Sequence, residues 1–96
     1  MRMHNPAHPG QFISEVYLRP SGMSGRELSD AIGVAASTLS RVLNGTSRVT
    51  PEMALRCSKA LGRSPEGWLA MQDAYDLWQA RKTVDLRAIP KLKFAA

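Results

Sequence analysis

The sequence predicts an all-α fold of five helices. Apolar residues recur three and four apart, and helix starts are marked by capping residues. Before residue 83 there is no alternating apolar–polar run of useful length. A length of 96 residues fits one domain, expected over 1–82 and followed by a basic tail over 83–96.

The first helix is expected from Pro9 to about Leu18, with Phe12 and Val16, and Ile13 and Tyr17, making an apolar face. Arg19-Pro20-Ser21-Gly22 should stop it, because residues before proline avoid the helical region. The second helix opens on Ser24 and Glu27, the spacing of a capping box. Leu28, Ala31 and Ile32 form its buried stripe, and Gly33 ends it. The third runs from about Ala36 to Leu43 and is closed by Asn44-Gly45. Leu39, Val42 and Leu43 point to one side of it; Ser37, Thr38, Ser40 and Arg41 point elsewhere. Thr50 caps the fourth helix with Pro51 at its first position, Ala54, Cys57 and Leu61 lie inside, and Gly62 stops it. Ser64, Pro65 and Glu66 start the fifth, which runs to about Lys82. The remainder reads as a tail with room for one short strand.

Helices two and three carry a functional pattern. Two helices of about eight residues, joined by a short turn containing glycine, are the signature of a helix-turn-helix. Ser29 is small enough to let the second helix approach, Gly33 turns the chain, and Leu39 and Val42 lock the helix down. In such a motif the second helix enters the major groove of DNA and the first crosses the backbone. Between Ile32 and Pro51 the only charges are Arg41 and Arg48. Short side chains let a helix backbone come close to base edges in a groove about 12 Å wide. Arg41 is the expected base reader, because a guanidinium pairs bidentately with guanine. Ser37, Thr38, Ser40 and Asn44 share that face, while Arg26, Thr46, Ser47 and Arg48 are placed for phosphates. Basic residues outnumber acidic ones 13 to 8, which fits a polyanionic partner without proving one.

Other chemistries find little support. A single cysteine, Cys57, cannot form an internal disulfide, and its place on an apolar face suits burial. His4 and His8 lack the further ligands a metal site needs and read as surface or cap residues. Asp73 and Asp76 read as a solvated helix face. No phosphate-cradling glycine loop and no catalytic constellation is present, so neither an enzyme nor a cofactor is expected. The N-terminal MRMHNPAHPG lacks the apolar core of a signal peptide, and no run approaches the ~18 apolar residues of a membrane span. A cytoplasmic location is the expectation.

The chain resembles HigA-type antitoxins, within the Cro/repressor class of helix-turn-helix proteins. The matching stretches are HPG at 8–10, LSDAIGVAASTLSRVLNG at 28–45, VTPEMALRCSKALGRSPEGWLAMQ at 49–72 and YDLW at 75–78. The resemblance implies a lambda-repressor-like domain and a homodimer that represses its own operon. It also implies a partner, a co-expressed mRNA-cleaving ribonuclease toxin that the dimer neutralises. Gly25, Ala35 and Ala36 depart from the family pattern of glutamine, a capping residue and a longer polar residue. They remove a phosphate contact, a cap worth about 1 kcal/mol and a base contact, so more rests on Ser37, Thr38 and Arg41. Rival readings are a toxin-capping module with weak DNA binding and a stand-alone phage-like regulator; RNA binding is disfavoured because the helix has no aromatic stacking residues.

On helix five, Trp68, Met71, Tyr75 and Trp78 fall on one face, with Leu69 and Leu77 towards another. The first four are expected at a dimer interface, although on pattern alone they suit a core equally well.

Overall fold

A computed structural model of the protein describes residues 5–95; His4 lies outside them. The described residues form five helices and no strand. Helix α1 is one continuous rod, α-helical over Pro9–Ile13, π-helical over Ser14–Leu18 and α-helical again over Arg19–Ser21. It is followed by α2 (Gly25–Ile32), α3 (Ala36–Leu43), α4 (Pro51–Leu61) and α5 (Pro65–Thr83). The short strand for which the tail has room does not form among the described residues.

Helix α1 outlasts the expected stop at Leu18. The wide π turn, in which the Arg19 amide reaches back to the Ser14 carbonyl, gives the ring of Pro20 room to continue the rod. The hydroxyl of Ser21 donates to the Tyr17 carbonyl at 2.6 Å, and the helix ends at Gly22. The inserted residue also rotates the apolar face. Ile13 and Leu18 are buried, whereas Val16 is exposed.

The start of α1 explains the HPG sequence. His8 is its N-cap: the ring Nδ1 accepts from the Gly10 amide at 2.9 Å. The imidazole is buried, not on the surface. Pro9 takes the first helical position, where no amide is required. Gly10 faces the backbone of α3, and a Cβ there would lie 1.8 Å from the Val42 carbonyl oxygen.

The core joins all five helices through Ile13, Leu28, Leu39, Val42, Cys57 and Trp68, with Val49 from the loop after α3. Ala31, expected in the buried stripe of α2, is exposed; Ser29 is buried instead. Burial pushes the Cys57 thiol up to about 11, so it stays protonated and unreactive.

Trp68 is the clearest correction. It lies wholly inside its own domain, its ring flanked by Phe12 and Tyr17 and its indole nitrogen donating to the Gly62 carbonyl at 3.0 Å. It has no surface left for a partner.

Gly10→Ala should be severely destabilising, by about 3 kcal/mol or more, because neither backbone can yield as a side chain would. Urea denaturation followed by circular dichroism measures it; a loss below about 1 kcal/mol would contradict the close approach.

Candidate nucleic-acid interface

The supporting helix α2 is fixed at both ends. At its start the capping box is complete: Glu27 N donates to Ser24 Oγ at 3.0 Å, and Ser24 N to the Glu27 carboxylate at 2.8 Å. The amides of Gly25 and Arg26 are left facing outward at the positive end of the helix. Arg26 is exposed beside them.

At its end, Gly33 adopts φ 74°, a conformation that a residue without Cβ takes freely. Gly33 N and Val34 N both donate to the Ser29 carbonyl at 3.0 Å. Arg56 of α4 closes the turn from outside. Its guanidinium donates to the Ile32 carbonyl at 2.7 Å and is held by Glu52 at 2.9 Å. Sequence reasoning missed this clamp. The four-residue spacing of Glu52 and Arg56 signals a helix pair but not a contact with residues 32 and 33.

Helix α3 has its dry side, Leu39 and Val42, against the core. Its N-cap, Ala35, has no capping side chain. Ser37, Ser40, Arg41 and Asn44 are exposed. Among the described residues no carboxylate pairs with Arg41, so its guanidinium is available. Thr38 is half-buried, towards Val34, Thr50 and Met53 at the edge facing α4. The short residues Gly25 and Ala36 leave a cleft at the start of α2, bordered by Arg26, Ser40 and Asn44.

The loop after α3 is folded back on the helix. The Arg41 carbonyl accepts from Thr46 N at 2.9 Å, Ser47 N at 3.1 Å and Thr46 Oγ1 at 3.1 Å. Thr46 is exposed, with its hydroxyl proton already engaged, and Ser47 is half-buried. Val49 N donates to the side chain of Gln72, buried in α5, at 2.7 Å.

Arg48 departs from expectation. Its guanidinium donates to Asp76 at 2.7 and 3.0 Å, with Asp73 at 3.5 Å. The two acids are therefore ion-pair partners, not a merely solvated face. Burial works to raise the Asp76 carboxyl, but hydrogen bonds from Arg48 and Gln72 outweigh it and hold it below the usual carboxylate range.

A sequence family model for helix-turn-helix domains matches residues 16–68. The chain belongs to the helix-turn-helix family. It is 42% identical over 92 residues to YddM, an HTH-type transcriptional regulator of Escherichia coli (strain K12), covering 96% of this chain and 97% of YddM. It is 37% identical to antitoxin HigA-1 of Vibrio cholerae over 79% of this chain and 71% of that antitoxin. Among solved structures, the antitoxin GraA in complex with its operator superposes with a TM-score of 0.86 at 32% identity, over 98% of both chains. The match to HigA-1, over 76 residues, bears out the resemblance to HigA-type antitoxins.

In this helix-turn-helix domain the expected contact residues separate into two groups. Arg26, Ser37, Ser40, Arg41 and Asn44 are exposed around α2 and α3, whereas Thr38 is half-buried towards α4 and Thr46, Ser47 and Arg48 are tied to α3 or α5. Among the described residues, no three of His, Cys, Asp and Glu come together as a metal site would require. No helix there is long and apolar enough to cross a membrane.

His8 links this loop to α5, with Tyr75 edge-on at 5.0 Å. Burial lowers its pKa from the ordinary 6.5, against the opposing pull of Asp76 and the Ser47 carbonyl. A depressed histidine takes its proton later than the unfolded chain does. Its contribution is therefore complete above pH 6.5 and is lost as pH falls through the folded value. Thermal melts should show a drop in Tm between neutral and mildly acid pH that is reduced in His8→Gln. Equal slopes for both proteins would count against this role for His8.

Proposed function

We propose that this chain is a sequence-specific DNA-binding repressor, the antitoxin of a HigB-HigA type II toxin–antitoxin system. It binds its own operator as a dimer and neutralises a co-expressed mRNA-cleaving ribonuclease. The observation that carries the reading is the outer face of α3. It presents small hydroxyls and one unpaired arginine on a helix clamped from behind by Leu39 and Val42. That face suits a major groove, where close backbone approach and one bidentate contact give direct readout. The amides of Gly25 and Arg26, with the Arg26 side chain, suit a phosphate beside it. The names of HigA-1 and GraA support the antitoxin role, and the GraA–operator complex supports the DNA partner. A cytoplasmic location accords with this role.

Arg48 enters the interface by exchange. An exposed ion pair is worth little, so a phosphate can take the guanidinium from Asp76 without unfolding the loop.

Arg41→Ala should cost about 1–3 kcal/mol in binding to the DNA upstream of the gene and relax preference at one base position. Gel-shift titration on single-base variants of that DNA measures both. The salt dependence should be steep, each neutralised phosphate adding about 0.9 to the log–log slope. Unchanged affinity in Arg41→Ala would remove the base-reading role.

A further inference from the structure

The fold brings two acids to the loop after α3. Between Ile32 and Pro51 the chain has none of its own. Asp73 and Asp76 arrive from α5, more than twenty positions away. Asp76 uses its two oxygens on different partners. Oδ1 accepts from Gln72 Nε2 at 3.0 Å, while Oδ2 accepts from Nε and Nη2 of Arg48 at 3.0 and 2.7 Å. Asp73, one turn earlier, accepts from the same Nη2 at 3.5 Å.

Holding the loop does not require this pair. The buried bond from Val49 N to Gln72, at 2.7 Å, already ties the loop to α5, and Thr46 and Ser47 tie it to the Arg41 carbonyl. An acid beside a face that meets phosphates also repels DNA, so a tether alone would be better made of neutral groups. What the carboxylates add is a set of anionic oxygens aimed at a guanidinium, which is the chemistry of a phosphate. The side chains of Arg48 and Asp76 are 54% and 41% exposed, so a phosphate can reach the same guanidinium from solvent. Nη1 of Arg48 has no partner among the described residues. Arg48 follows directly on Ser47, whose amide donates to the Arg41 carbonyl at 3.1 Å. The contested arginine is therefore anchored through the same residue that presents the base-reading one.

We propose that Asp76, aided by Asp73, takes the place of an operator phosphate in the free protein and competes with DNA for Arg48. It is a positioning residue that sets affinity from outside the DNA-contacting surface. This rests on the DNA binding of the proposed function and adds an antagonist to it. Binding exchanges one ion pair for another, so Arg48 contributes only the difference between them. Arg41, with no carboxylate partner among the described residues, contributes in full. Gln72 keeps the vacated carboxylate in place, and Val49 keeps the loop in place, so release of DNA restores the pair without refolding.

Titration of labelled DNA from upstream of the gene with the full chain, followed by fluorescence anisotropy at several salt concentrations, tests the proposal. Asp76→Asn keeps an acceptor for Gln72 and removes the charge. It should bind about two- to fivefold more tightly, the range of an exposed ion pair, with far-UV circular dichroism unchanged. Asp76→Glu keeps the charge and should return to wild-type affinity. Most of the gain from Asp76→Asn should vanish when Arg48 is replaced by alanine. Arg48→Ala alone should lower the log–log salt slope by about 0.9. A pair that only supports the loop would give the opposite sign, weaker binding in Asp76→Asn. That result would overturn the proposal, as would unchanged affinity, an equal gain with and without Arg48, or an unaltered salt slope in Arg48→Ala. Should Asp76→Asn lose helicity, Asp73→Asn, whose side chain is 77% exposed, gives the same test with a smaller gain. A wild type that binds no upstream DNA would overturn the proposed function and this inference with it. Binding by the wild type without a gain in the asparagine variants would overturn the inference alone.

Discussion

The recognition helix takes its position from a contact that only backbone can make. Because Gly10 has no side chain, α1 lies directly against the carbonyl of Val42 and the Cα of Leu43. That approach fixes the C-terminal end of α3 at the turn where Arg41 leaves for solvent. It also places the His8 cap beside Gly45, in the loop that returns from α3. The other supports of the helix lie around it. Beside it Leu39 and Val42 bury their side chains, and the Arg41 carbonyl gathers three donors from Thr46 and Ser47. A helix of eight residues has too little internal stability to hold its own direction. Here α1, α2 and the loop hold it.

A second set of contacts ties the same loop to α5. Gln72 spends one end of its amide on Val49 and the other on Asp76, which in turn holds Arg48. The buried member of this chain is a neutral amide, which escapes most of the desolvation cost a buried charge would carry. The charged members sit at the surface, where rearrangement is cheap. The loop is therefore anchored firmly at Val49 and loosely at Arg48.

Much of this was legible in the sequence because the signals are local. Ser24 with Glu27, Thr50 with Pro51 and Ser64 with Pro65 each specify a helix start within four residues, and all three caps form. The missing cap at Ala35 is equally local. What escaped is long-range. Gly10 reads as an ordinary residue near a proline until α3 is placed against it. Arg56 and Gln72 look like surface residues of their helices because their partners lie more than twenty positions away. The π turn hid the path through Pro20, since a proline signals a stop unless the preceding turn is known to be wide. Trp68 shows the limit of periodicity. A three-and-four spacing says that a stripe shares one side of a helix, but not whether that side meets its own domain or a partner.

One recognition helix with a single arginine cannot by itself give strong discrimination. A good bidentate pair contributes about 1–3 kcal/mol, whereas specific binding typically exceeds nonspecific binding by about 4–10 kcal/mol. Longer polar side chains at Gly25 and Ala36 would narrow the gap within one subunit, but this chain has none there. A phosphate contact of the kind proposed for Arg48 adds charge and no sequence information. The remaining route is duplication, in which two copies of α3 read two half-sites about 34 Å apart and each mismatch counts in the sum. Sparse chemistry on the DNA-facing helix thus makes the pairing of two copies part of recognition itself. The weaker the readout of each subunit, the more the operator depends on what joins the two.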